Sequence, residues 1–406
     1  MVNEKKTLVI AAICFPPVLM GAAVLMGNLF KHFPKGSYHV LMGRLDHGWP
    51  PIDKDSMMPA PYTFTRFPFL HSKGNLWRRV GFFFRDLFAI LECTWKGLRI
   101  IRQEKVNNVF VVADHYVELA ALLIHWLTGK KIVLWLPDLY CVPELTRSKW
   151  TQSINRLIEP VLLRAMDIVL VTGKPTQEYY KEKYNLNTEV LAHSVDLTRY
   201  DLQHSHPSAN VTRILFTGTI EPCNQGSILD MIKVITGLPE LDIKLAIVSP
   251  NVSKQLQEIA MKNHRVTCMR AKREEIPALQ QSADVLFLPL CFEEHGYRYP
   301  SIVRTASPSK LPEYLMAGRP ILVYAPAESY YARYARQEGF AFVVDQPNCD
   351  VLRRAVLELQ NNADLRHRLV TSAKRTARKY HDAKQVSLRL QSVLGIVEKP
   401  IAIEGL

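Results

Sequence analysis

The chain has 406 residues, of which 48% are hydrophobic and 22% charged, with a formal net charge of +13. That length suits two domains of about 200 residues rather than one core, and the charge predicts attraction to polyanions such as anionic lipid or phosphorylated substrates. The seven cysteines, Cys14, Cys93, Cys141, Cys223, Cys268, Cys291 and Cys349, are odd in number and never spaced C-x-x-C, which argues against a zinc site or a disulfide framework and for a reducing cytoplasm.

Lys5-Lys6 followed by the apolar run Thr7 to Phe30 imitates a signal peptide or a membrane helix. Pro16-Pro17 would break such a helix, and Gly21 and Gly27 punctuate the second half of the run, so Thr7 to Cys14 reads as a buried strand with a loop and a helix behind it. Buried-strand candidates recur at Tyr38 to Gly43, Val109 to Ala113, Lys131 to Leu136, Ile168 to Thr172 and Thr188 to Leu191, each trailed by a helical stretch. Alternation of this kind predicts a parallel sheet with helices on both faces. Leu202 to Asn210 is polar without an apolar period and predicts a linker. A second series of strands comes after it at Arg213 to Thr217, Lys244 to Val248, Val266 to Arg270, Val285 to Pro289, Ile321 to Tyr324 and Ala341 to Val344, and the stretch from about Val351 to Val397 is helical by composition. The fold class is therefore α/β, two doubly wound Rossmann-like domains facing a cleft, with ligands outside the carboxyl ends of the strands. The expected boundaries are residues 1–200 for the first domain, 201–211 for the linker, 212–380 for the second domain, and 381–406 for a helical segment with a route back to the first domain.

Ser307 to Pro320 joins a polar turn to a short helix that Gly318 ends and Pro320 keeps from continuing. Ser309 and Lys310 offer a hydroxyl and an ammonium, and helix-starting N–H groups near Leu311 lack intrahelical acceptors, a combination suited to phosphate. An ordinary capped helix is the alternative.

Several segments together resemble retaining glycosyltransferases of the GT-B architecture, glycosyltransferase family 4 in particular. Arg213-Ile-Leu-Phe-Thr-Gly-Thr-Ile220 is similar to the family's opening strand and glycine turn, and Gln281 to Leu290 to its "a-D-v-x-l-x-P" strand. Ser309 to Pro320 is similar to its nucleotide-diphosphate helix, Arg164 to Thr172 to its "r-a-D-x-i-x-x-s" strand, and His193-Ser-Val-Asp196 to its "n-G-v-D" turn. The resemblance implies a hexosyltransferase-like, retaining enzyme that needs no metal or other cofactor and uses a nucleotide-diphosphate sugar as donor. Its partners would be that nucleotide sugar and a saccharide or lipid-linked acceptor, in cell-envelope or exopolysaccharide synthesis. The implied donor site comprises Gly218, Thr219, Asn224, Ser309, Lys310, Leu311 and Glu313, with Ser309 and Lys310 on the diphosphate and Glu313 on the ribose hydroxyls. Two departures stand out. Thr305 occupies the place of the glutamate that contacts the donor sugar, with Glu293 and Glu294 as upstream candidates to replace it. Thr219 and Asn224 come after Gly218 where many relatives carry an arginine and a lysine, so Lys310, the dipole of the helix that follows it, or another cation such as Arg298 or Arg304 must meet the leaving-group charge.

In the first domain, Gly21 and Ala22 lie on a loop after strand one that suits a phosphate or the acceptor, a plain tight turn being the alternative. His115 and Asp138 come after two strands at their carboxyl ends and are, with Lys310 and Glu313, the candidate catalytic residues; a satisfied loop histidine is the alternative for His115. The stretch His71 to Arg102 interleaves Trp77, Trp95 and phenylalanines with arginine and lysine, which suits either a helix in a lipid headgroup layer or ordinary core aromatics. An anionic membrane surface is thus a further expected partner, with the protein in the cytoplasm or on the inner face of the plasma membrane. No nucleic-acid-binding motif accompanies the charge. Two rivals remain: another GT-B enzyme such as a nucleotide-sugar 2-epimerase, and a catalytically degenerate sugar-nucleotide-binding subunit.

Overall fold

The computed structural model describes residues 5–18, 21–45, 52–66, 76–114, 117–142, 149–200, 213–238 and 242–397. In chain order the elements are β1 (Thr7–Ala11), α1 (Gly21–Phe30), β2 (Tyr38–Met42), β3 (Tyr62–Phe64), α2 (Leu76–Glu104), β4 (Asn108–Val112), α3 (Val117–Thr128), β5 (Lys131–Leu136), α4 (Lys149–Arg164), β6 (Ile168–Val171), α5 (Lys174–Tyr184) and β7 (Glu189–Val190). They continue with β8 (Arg213–Thr217), α6 (Pro222–Thr236), β9 (Lys244–Val248), α7 (Lys254–Lys262), β10 (Val266–Met269), α8 (Ile276–Gln281), β11 (Val285–Pro289), α9 (Pro300–Thr305), α10 (Leu311–Met316), β12 (Ile321–Tyr324), α11 (Tyr330–Glu338), β13 (Ala341–Val344), α12 (Cys349–Asn361), α13 (Ala363–Tyr380) and α14 (Ala383–Val393). The chain divides into two compact units, Met1–Ser194 with Ala383–Leu406, and Val195–Asp382.

The first unit is built on a parallel sheet of order β3-β2-β1-β4-β5-β6-β7. Both faces of its central strands are covered, so β1 and β4 are continuous apolar runs rather than alternating ones. Leu8 and Ile10 of β1 point into the layer of α2, α3, α4 and α5, and Val9 and Ala11 into the layer of α1 and α14. α14 belongs here despite its distance in sequence: Ser387 Oγ donates to Leu29 O at 2.8 Å and Asn108 Nδ2 donates to Leu394 O at 2.6 Å. Its buried Val386 and Leu390 each contribute about 1.5–3 kcal/mol of apolar burial.

The second unit has the order β10-β9-β8-β11-β12-β13, also parallel. Strand order reverses between β8 and β11, as it does between β1 and β4 in the first unit, and these are the points where ligands enter open α/β sheets. The expected boundary at residue 200 lies earlier in the structure, because Val195 N donates to His381 O at 2.8 Å and Tyr200 Oη donates to Gln280 Oε1 at 2.6 Å, both within the second unit. The expected linker, 201–211, is outside the described residues. β3 has no counterpart among the expected strands; it is three residues long, partly exposed, and preceded by Pro59 and Pro61.

Candidate functional site

At the switch point of the second sheet, β8 is followed by Gly218, whose φ of 123° is a conformation that suits glycine. The turn after Gly218 is held by two asparagines. Asn224 Oδ1 accepts from Glu221 N at 3.0 Å while its Nδ2 donates to Thr219 O at 3.1 Å. Asn251 Oδ1 accepts from Ile220 N at 3.1 Å and its Nδ2 donates to Ile220 O at 2.9 Å. The Asn224 side chain, expected on the donor, is therefore spent on shaping the turn; exposed Thr219 stays at its surface.

Lys310 reaches this turn from the start of α10. Its Nζ lies 4.1 Å from the centroid of the Phe216 ring, and a Cβ placed on Gly218 would stand 2.7 Å from that Nζ. Glycine suits the φ here, and a Cβ at this position would displace the ammonium from the turn. Burial pushes the ammonium down from 10.5 to about 8, against the opposing pull of Cys223, Glu221 and Glu313. A half-buried cation beside a glycine turn, with only partial compensation, is poised for an anion.

Glu313 lies in the first turn of α10, half-buried. Burial raises its pKa, opposed by Arg199, the Gln280 amide, Arg273 and Lys310. Gln280 Nε2 donates to Glu313 Oε2 at 3.4 Å and to Thr217 Oγ1 at 3.1 Å. The next residue, Tyr314, is fully buried and its Oη accepts the Thr217 N–H at 2.8 Å. The end of β8 and the start of α10 are thereby tied through Gln280 and Tyr314, neither of which the sequence patterns singled out. Asp284 of the "a-D-v" segment is structural: its Oδ2 accepts from Arg213 N at 2.9 Å, joining β11 to β8.

Two expectations about α10 need correction. The helix has only six residues and carries Pro312 in its first turn, so it supplies little dipole and Pro312 no N–H. Leu311 offers no free amide, since its N–H donates to Pro308 O at 3.0 Å in the turn that leads into the helix, and its side chain is in the core. Ser309 is exposed beside them. Gly318, at φ 73°, ends the helix as expected. Thr305 is buried and its Oγ1 donates to Ser301 O at 2.7 Å, closing α9.

The loop after β11 also meets the glycine turn. Cys291 N donates to Cys223 O, in the first turn of α6, at 2.6 Å. Glu293 and Arg298 on this loop are exposed, 3.8 Å apart, and Glu294 is exposed beside them.

In the first unit, Cys14 lies just beyond β1, Asp114 beyond β4 and Asp138 beyond β5. Asp114 Oδ2 accepts from Ile13 N at 2.9 Å across the switch point. Burial, then Asp114 and Asp138, push the Cys14 thiol far up, which keeps it an inert thiol. Buried Glu118 accepts the Tyr140 hydroxyl and is raised by burial. Asp138 is exposed. Gly21 opens α1 exposed, with half-buried Ala22 next to it, and His115 lies outside the described residues. Among the described residues no group of three or more His, Cys, Asp or Glu side chains is placed to hold a metal ion.

No family model matches the sequence, and no curated protein matches it. Solved structures do match. The chain is similar to Anabaena HepE in complex with UDP-glucose, at TM-score 0.69 and 13% identity over 97% of this chain and 100% of that one. It is similar to a glycosyltransferase from Rickettsia africae, at TM-score 0.71 and 13% identity over 98% and 100%. A third is WaaG, a glycosyltransferase involved in lipopolysaccharide biosynthesis, at TM-score 0.64 and 13% identity over 96% and 99%. The fold is GT-B. The Gly218–Lys310 arrangement belongs to the second GT-B sheet, and the Cys14, Asp114 and Asp138 group to the first.

Proposed function

We propose that the protein is a glycosyltransferase of the family 4 kind, which moves a sugar from a nucleotide-diphosphate sugar to a saccharide or lipid-linked acceptor with retention and without a metal ion. The observation that carries this is the Lys310 ammonium seated against the Gly218 turn at the sheet's switch point, with Glu313 one helical turn away. HepE, with the same fold, is solved with UDP and with UDP-glucose, and WaaG acts in lipopolysaccharide biosynthesis.

The second unit holds the donor. Lys310 meets the diphosphate, Gly218 admits it closely, Ser309 adds a hydroxyl, and Glu313 accepts from the ribose hydroxyls. As the bond from the anomeric carbon to the diphosphate oxygen breaks, the acceptor oxygen bonds to that carbon on the same face and its proton passes to the departing phosphate. The protein supplies positioning and charge stabilisation rather than a nucleophile. The first unit takes the acceptor, with Asp138 beyond β5 and Gly21 and Ala22 at the start of α1; His115 is a further candidate for this role.

The enzyme would work in the cytoplasm at the inner face of an anionic membrane, in envelope or exopolysaccharide synthesis. Among the described residues, fourteen large hydrophobic side chains are exposed, four on α2 (Leu87, Phe88, Leu91, Trp95), two on α3 and three on α4. That concentration on one helical layer, with Arg99 6.0 Å from the Trp95 ring, supports contact with lipid headgroups. Among the described residues no helix is long and apolar enough to cross a membrane.

Incubation with UDP-, GDP- and ADP-sugars, with and without saccharide and lipid-linked acceptors, tests the activity. Release of nucleoside diphosphate with transfer of the sugar is expected. Tight binding with neither hydrolysis nor transfer would favour a degenerate binding subunit, a reading that Thr305 on its own helix and Asn224 on its own turn keep open. Conversion of the donor sugar to an isomer would favour an epimerase.

A further inference from the structure

One polar cluster in the second unit lies outside the donor machinery. Asp230 and Lys233 of α6, Tyr324 of β12 and His295 of the β11–α9 loop converge on a single carboxylate. His295 Nε2 donates to Asp230 Oδ2 at 2.7 Å, Tyr324 Oη donates to the same oxygen at 3.0 Å, and Lys233 Nζ donates to Oδ1 at 2.9 Å. On the ring's other side, Phe292 N lies 3.2 Å from His295 Nδ1, and the hydrogen bond to Asp230 raises the imidazole pKa to about 9. The side chain packs closely on α6: a Cβ on Gly226 would stand 2.7 Å from both Cβ and Cγ of His295. Burial would raise the Asp230 pKa, but the bonds from His295 and Lys233 bring it down to about 2, so its charge persists across the working pH range.

We propose that His295 is a positioning residue that latches the loop of residues 291–299 to α6 and thereby fixes the wall at the sugar end of the donor site. The attachment of the loop supports this. Its first residue, Cys291, donates its N–H at 2.6 Å to the carbonyl of Cys223, in the first turn of α6 and five residues after Gly218, whose turn receives Lys310. His295, further along the loop, packs on Gly226 of the same helix. The donor sugar, bonded to the diphosphate at Lys310, is placed against this loop, so that the latch acts on the sugar rather than on the nucleotide.

The inference rests on the donor-site reading, and the experiment separates the two. Affinity for UDP is measured by calorimetry, and KM and kcat for UDP-glucose by turnover, in the wild type and in His295→Leu, His295→Gln and Asp230→Asn; the GDP or ADP pair replaces these probes if the wild type selects that base. His295→Leu and Asp230→Asn are expected to raise KM for the nucleotide sugar about tenfold, the scale of one charge-assisted hydrogen bond, while UDP affinity stays within about twofold. His295→Gln keeps an N–H within reach of Asp230 and should recover most of the loss. Equal weakening of nucleotide and nucleotide sugar, or no change in either, overturns the latch while leaving the donor site standing. A wild type that binds neither nucleotide overturns both. If His295→Leu fails to fold, the comparison of Asp230→Asn with His295→Gln decides.

Discussion

Replacing Lys310 with methionine should make the protein more heat-stable and less able to bind its nucleotide. The fall of the Lys310 pKa from 10.5 to about 8 corresponds to about 3 kcal/mol against folding with the charged form buried. Because the folded value lies below the unfolded one, the penalty is fully present below about pH 8 and is relieved as the pH rises toward 10.5. The contact with Phe216, at 4.1 Å, returns about 1–2 kcal/mol of that. Methionine keeps the stem's packing and removes the charge, so a net gain of about 1–2 kcal/mol is expected, which for a unit of this size raises Tm by about 2–8 °C. Loss of one charged hydrogen bond to phosphate costs about 1.5–3 kcal/mol, or about 10–150-fold in affinity. Differential scanning fluorimetry with and without nucleotide, joined to calorimetry at pH 7, reads both quantities. Wild-type affinity should also decline above about pH 8, as Lys310 loses its proton, and the variant should lack that decline. A variant with a lower Tm, or with nucleotide affinity within about twofold of wild type, would refute the reasoning.

Gly218→Ala combines an unfavourable φ of 123° with a Cβ 2.7 Å from the Lys310 ammonium; it should cost about 1–3 kcal/mol of stability and weaken nucleotide binding, and intact binding in calorimetry would speak against the placement of Lys310. Tyr314→Phe leaves the buried Thr217 N–H without its acceptor, so denaturant unfolding should show a loss of about 1–3 kcal/mol, and a loss below about 0.5 kcal/mol would mean that the tie between β8 and α10 is unimportant. Phe88→Ala with Trp95→Ala removes two exposed aromatics of α2 and should reduce co-sedimentation with phosphatidylglycerol vesicles at low salt at least about tenfold; undiminished co-sedimentation would remove α2 from the lipid contact.

The strands were legible because parallel strands buried on both faces are unbroken apolar runs between turn residues, as in Val285–Pro289 and Ile321–Tyr324. β3 was not, being too short and too exposed to leave a pattern. Gly318 was legible because a helix stop favours a left-handed residue, and Gly218 through the resemblance of its segment to a strand with a glycine turn. Hidden from the sequence are bonds between residues far apart along the chain: Tyr314 to Thr217, Gln280 to Thr217, and His295 to Asp230 are 97, 63 and 65 positions apart. The local bonds of Asn224 and Leu311 were equally hidden. Each stands where a ligand contact fits the pattern, and in each the donor or acceptor is already taken by the local turn.

The most direct measurement is a crystal structure of the protein grown with UDP, or with GDP or ADP if calorimetry selects that base. The diphosphate should lie between the Gly218 turn and the Lys310 ammonium, with the ribose hydroxyls on Glu313. Nucleotide bound elsewhere, with Lys310 still packed on Phe216 and making no phosphate contact, would contradict the assignment.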